Sequence, residues 1–116
     1  MPSLLGFIME ISDAQDRMKE FCQARDWDRF RASLVYVHLM EELTEIGEEI
    51  LYEEGYKKEG IGHERSNADV SREFAQSFAL FLQLAQHYGI DLEKAFIREL
   101  EIMESRFPPE KWKGRS

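Results

Sequence analysis

Glu42 and Glu45 stand three residues apart in the stretch Leu39–Ile50, where Leu39, Leu43, Ile46 and Ile50 recur at helical spacing. At about 100° per residue the two carboxylates, continued by Glu49, fall along one edge of that apolar stripe, roughly 5–6 Å apart, and a pair so placed can grip one cation. The spacing recurs at Glu73 and Gln76, which open the next apolar run. If the two helices pack antiparallel, Glu42, Glu45, Glu73 and Gln76 converge into an all-oxygen cage, the donor set that Mg2+ or Mn2+ prefers. The competing reading is an acidic edge that only faces water, the commonest state of such an edge. Position weighs against it, because Glu42 borders the stripe instead of lying opposite. Packing then brings its carboxylate near other elements, and crowded like charges there call for a cation or a basic partner.

Helices must position these groups. Ser12-Asp-Ala-Gln15 reads as a capping box, and Met18, Phe21 and Cys22 carry a helix to about Arg25. Arg25 to Phe30 breaks the periodicity, after which Ser33 is the candidate N-cap of a long helix, Leu34–Glu54, ended by Gly55, Gly60 and Gly62. Asp69 caps the next helix, Val70–Tyr88, whose residues Phe74 to Ala85 are apolar over most of the circumference and call for cover from several sides. Gly89 closes it, Asp91 caps the last helix, and Leu92, Phe96, Leu100 and Met103 form that helix's stripe until Pro108 and Pro109 stop it. Trp112 anchors the polar tail. Ser3 is expected to cap a short turn carrying Leu4, Leu5, Phe7 and Ile8, suited to docking on a neighbour or a second subunit. Gly55–Asn67 reads as a mobile loop that gathers Lys57, Lys58, His63 and Arg65. The expectation is a single all-α domain over 1–116, a bundle of four or five helices with Leu34–Glu54 and Val70–Tyr88 as an antiparallel pair, and a homo-oligomer burying the apolar surplus.

Charge and composition exclude some functions. A formal net charge of -8 argues against nucleic acid as a partner, since phosphate backbones require a basic patch. The one cysteine, Cys22, cannot form an intrachain disulfide and reads as a small buried hydrophobe, which suits a reducing cytoplasm. The first ten residues have no basic leader region and reach a charge at Glu10, so neither a signal peptide nor a membrane span is expected.

Five pieces of sequence then fall into one order: Arg25-Asp-Trp27 followed by Phe30, Glu42-x-x-Glu45 after an apolar run, Glu73-x-x-Gln76 opening the next apolar helix, Tyr88-Gly-Ile-Asp-Leu92, and Arg106-Phe-Pro108. In order and spacing the chain resembles, from about Arg25 to Pro108, the all-α nucleoside triphosphate pyrophosphohydrolases often called MazG-like. The resemblance implies a hydrolase that is a helical bundle completed as a homodimer or homotetramer, cleaving a nucleoside triphosphate to monophosphate and pyrophosphate with Mg2+ (or Mn2+). It implies Glu42, Glu45 and Glu73 as metal-binding carboxylates, with Gln76 standing where the family has Asp, and Glu45 orienting the attacking water. It further implies Arg106 as a substrate contact and Trp27 and Phe30 as a stacking surface for the base, although two aromatics beside a helix start also suit a core. Related enzymes often carry Lys and Asn ahead of the Arg-aromatic-Pro run, where this chain reads Glu99 to Met103. Gln76 and Met103 favour the alternative, a non-catalytic helical homo-oligomer, nucleotide-binding or structural, that keeps the carboxylates without turnover. His38 shares the Glu42/Glu45 edge, while Gln83 and His87 extend the Glu73/Gln76 edge as a polar seam or a pocket wall.

Overall fold

Where each helix begins is decided by which orphan backbone groups find a partner. In the computed structural model, which describes residues 8–55 and 69–114, the elements are α1 (Ile11–Ala24), a 3-10 turn (Trp27–Arg29), α2 (Ala32–Glu53), α3 (Val70–His87), α4 (Leu92–Arg106) and α5 (Pro109–Trp112). The described residues hold no strand, and none of their helices is long and apolar enough to cross a membrane. Apart from Gly55 and Ile8, the Gly55–Asn67 loop and the turn after Ser3 lie outside the described residues.

Three helix boundaries follow the sequence. The Asp69 carboxylate accepts from the Ser71 amide at 2.9 Å and the Asp91 carboxylate from the Lys94 amide at 3.1 Å, each satisfying a free N–H of the first turn. Gly89 takes φ 61°, and the Gly89 and Ile90 amides fold back on the carbonyls of Gln86 and Ala85, the paired bonds that close a helix through a left-handed residue. Two boundaries do not. Glu10, not Ser12, caps α1, because Asp13 accepts from the Glu10 amide at 2.9 Å and draws Ile11 and Ser12 into the first turn. Arg31, not Ser33, caps α2 with no side-chain bond, and the Leu34 and Val35 amides close on its carbonyl. Burial of Val35 one turn in outweighs the Ser33 hydroxyl.

The α2 and α3 helices form the main pairing. They run antiparallel: Leu34, Val35 and His38 at the start of α2 share a cavity with Leu80 and Gln83 toward the end of α3, while Glu42, further along α2, feels the charge of Glu73 near the start of α3. Cys22 of α1, Val35, Leu39 and Ile46 of α2, and Leu82 and Ala85 of α3 form the core. The α2 stripe is rotated from the expected one. Its inward positions are Val35, Leu39, Glu42 and Ile46, and Leu43 and Ile50 stand half out of the protein. Glu42 thus stands half-buried, in line with the buried Leu39 and Ile46.

The α1 helix lies on α3 and reaches the start of α4. Its buried Gln15 spans the corner between them, donating from Nε2 to the Ile90 carbonyl at 2.8 Å and accepting at Oε1 from the Leu92 amide at 2.9 Å. Beyond that corner α4 buries no residue, and the expected stripe of Phe96, Leu100 and Met103 is uncovered, Phe96 being 56% exposed. On α3 the row Phe74, Phe78 and Phe81 is likewise about half exposed, so the cover expected from several sides is only partly met among the described residues.

Gln15→Leu keeps the volume and strips both partners from a part-buried carbonyl and amide. We expect a loss of about 1–3 kcal/mol, from two hydrogen bonds at about 0.5–1.5 kcal/mol each, read as a lower denaturation midpoint in urea with an unchanged slope.

Candidate functional site

Two neighbouring features on the α2–α3 pair carry the chemistry. The first is a cavity of about 340 Å3 lined by Trp27, Phe30, Leu34, Val35, His38, Leu80 and Gln83. The 3-10 turn builds its aromatic wall. Asp26 adopts a left-handed conformation (φ 58°), which turns the chain so that Trp27 meets the edge of Phe21 at 5.6 Å and lies 6.4 Å from Phe30. Trp27 and Phe30 are therefore a half-exposed pocket wall and not core. Gln83, buried on α3, donates to the Trp27 carbonyl at 3.4 Å, which ties the wall to the helix pair.

The second feature lies one turn, about 6 Å, further along α2 from His38. Glu42 is half-buried in the seam with Glu73, 6% exposed, on the facing helix. Burial first, then the Glu45 carboxylate through its charge and a shared hydrogen bond, then the charges of Glu73 and Glu41, push the Glu42 carboxyl up from its ordinary value. Its Oε2 is nonetheless buried without any hydrogen-bond partner, and so is the Oγ of Ser77, one turn after Glu73. Bare buried oxygens beside like charges are an environment that a cation relieves.

Of the residues singled out by the sequence, the structure gathers Glu42, Glu45 and Glu73 into one electrostatic neighbourhood and Trp27 and Phe30 into the adjoining cavity. Glu45 and Gln76 are exposed at the rim of the seam. Arg106 is at the far end of α4, its guanidinium 5.1 Å from the Phe107 ring, and does not line the cavity. Among the described residues no group of three or more His, Cys, Asp or Glu side chains is placed to hold a metal ion. The donor chemistry suits a hard cation, but within one chain these carboxylates do not close around it.

Gln83 was legible as a seam or pocket residue and proves to be both, while Leu34, Val35 and Leu80 were not marked as cavity walls. Ser77 was missed altogether. The available signal was its spacing of four from Glu73, a small polar residue in register with a carboxylate on an apolar helix. A second, more polar depression is lined by Met18, Cys22, Asp28, Gln86 and His87 among others. The Cys22 thiol there is pushed up, by burial first and by Asp28 second, so it is kept as thiol and fits the packing role expected of it. The chain matches no protein-family model, no curated protein and no solved structure.

The Glu42 shift has a definite sign. Between the ordinary value of 4.5 and the raised folded value, the folded chain binds more protons than the unfolded one, so stability falls as pH rises through that interval. Glu42→Gln removes the penalty. In buffer with chelator its melting temperature should gain on that of the parent as pH rises from the ordinary value of 4.5 through the raised folded value, and a difference that does not change with pH would mean Glu42 is not held in this way.

Proposed function

We propose that this chain is a divalent-cation-dependent nucleoside triphosphate pyrophosphohydrolase of the MazG-like type, working as a homo-oligomer. The observation that carries the reading is the juxtaposition along one helix pair of an aromatic-walled cavity and, one turn away, the Glu42 and Glu73 carboxylates, with Glu42 Oε2 buried and unpartnered. A nucleotide has the matching polarity: a flat base at one end, and a triphosphate at the other that is met through cations. Trp27 and Phe30 stack on the base, with His38 and Gln83 offering polar contacts at its edge. Glu42 and Glu73 hold Mg2+ or Mn2+, and the exposed Glu45 orients the attacking water. The cation, when bound, neutralises charge on the phosphoryl oxygens and acidifies a coordinated water.

Assembly completes the site on this reading. The uncovered rows on α3 and α4 of one chain are apolar surfaces that a second copy buries, and Arg106, remote from its own cavity, reaches a partner's. The second reading, a non-catalytic helical homo-oligomer, is favoured by one observation: the described carboxylates do not form a metal-holding group within a single chain.

A pyrophosphate-release assay over a panel of nucleoside triphosphates, with Mg2+ or Mn2+, separates the two. We expect turnover with at least one nucleotide and a cation-dependent rise in melting temperature; absence of both would leave the non-catalytic reading. Phe30→Ala should raise KM by about 5- to 150-fold with little change in kcat, the equivalent of about 1–3 kcal/mol of base stacking. In light scattering at low micromolar concentration the chain should be a dimer or tetramer. A folded monomer would remove the role given to Arg106 and to the uncovered rows.

A further inference from the structure

A serine inside a helix ordinarily satisfies its hydroxyl by bonding the carbonyl four residues back. Thr44 on α2 does this, donating to the Met40 carbonyl at 2.8 Å. Ser77 does not: it is 7% exposed, and its Oγ has no partner although the Glu73 carbonyl is one turn away. Something other than the helix's own backbone is its natural partner.

The buried Glu73 and Ser77 of α3 continue into the half-buried Leu80 and Leu84, at i, i+4, i+7 and i+11, along one face of the helix. Leu80 meets the cavity shared with His38, and Glu73 meets Glu42, so Ser77 comes to the seam between His38 and Glu42. Two bare buried oxygens, Ser77 Oγ and Glu42 Oε2, thus belong to facing helices. Neither finds a partner among the described residues, and Glu42 stands beside the charges of Glu45 and Glu73. A water could bridge them but would leave Glu42, Glu45 and Glu73 uncompensated, whereas a divalent cation answers both the bare oxygens and the charge. Gln76, exposed at the rim, is displaced from this seam. A hydroxyl is also a proper ligand for a hard cation, and it supplies the oxygen that the carboxylates alone lack.

We infer that Ser77 Oγ, and not the Gln76 carboxamide, joins Glu73 as the α3 ligand of an oxygen-preferring divalent cation held against Glu42. The inference rests on the metal-dependent reading above and assigns a ligand that reading does not contain.

The test is calorimetric titration of Mn2+, Mg2+ and Cd2+ into the full chain and its variants, with thermal melts in chelator and helicity checked by circular dichroism. Ser77→Ala should melt at or above the parent in chelator, because it removes an unsatisfied buried hydroxyl and places a better helix former, yet bind Mn2+ about tenfold more weakly or worse. Ser77→Cys should raise the ratio of Cd2+ to Mg2+ affinity by about tenfold or more, since a thiolate ligand selects the softer ion, a change that a merely structural serine would not produce. Gln76→Ala should bind Mn2+ as the parent does. Parental Mn2+ affinity in Ser77→Ala overturns the assignment while leaving the metal-dependent reading intact, and so does an unchanged Cd2+ to Mg2+ ratio in a folded Ser77→Cys. A loss in Gln76→Ala equal to that in Ser77→Ala overturns it in favour of Gln76. A parent that binds none of the three ions overturns both.

Discussion

A pair of carboxylates in the seam of a helix pair, one half-buried and one buried, is the constraint on which this molecule turns. Glu42 takes the inward place between Leu39 and Ile46 that an aliphatic residue would fill, and Glu73 and Ser77 take the corresponding places opposite. Such a layer lowers stability relative to an apolar one, because burying charge costs more than neighbouring like charges can return. It also fixes register. Sliding α2 against α3 by one turn would set Glu73 against Leu39 or Ile46, where nothing relieves it, so few alternative pairings of the two helices compete with the observed one. The polar layer divides the seam, with the cavity and its aromatic wall on one side and the Ile46 end of α2 on the other.

What the sequence made legible follows from how local each signal is. Asp69, Gly89 and Asp91 mark boundaries through bonds made within a few residues, and those boundaries are where they were expected. Ser12 and Ser33 were equally plausible caps by composition, but Asp13 offered the nearer acceptor to Glu10 and burial of Val35 pulled α2 further toward its start. Tertiary packing overrode a local preference in the second case. The same override rotated the α2 stripe: the periodicity of Leu39, Leu43, Ile46 and Ile50 is real, yet helical period alone leaves the inward direction uncertain by one position, and the facing helix chose Glu42 over Leu43.

The candidate site was legible in part for the same reason. Two carboxylates at i and i+3 can be read from one helix, and the aromatics of the 3-10 turn from one segment. Their meeting depends on the antiparallel pairing, and the orphan state of Ser77 Oγ depends on a rotamer and a neighbour that no single-helix pattern encodes. Arg106 is marked only by its own segment, and a segment does not encode whether its side chain reaches the cavity, which in this chain it does not line.

Gln15 has a mechanical consequence. Its amide grips the carbonyl of Ile90 on one side of the corner and the amide of Leu92 on the other, so the direction in which α4 departs is set by α1 as well as by the helix that precedes it in sequence. The Ser12 amide adds a second tether, donating to Glu93 at 3.4 Å. The α4 helix is thus a lever whose fulcrum is a single side chain. Torque applied along its uncovered length is delivered to α1, and through Cys22 and its neighbours to the core, so whatever grips α4 and whatever keeps α1 folded act on the same joint.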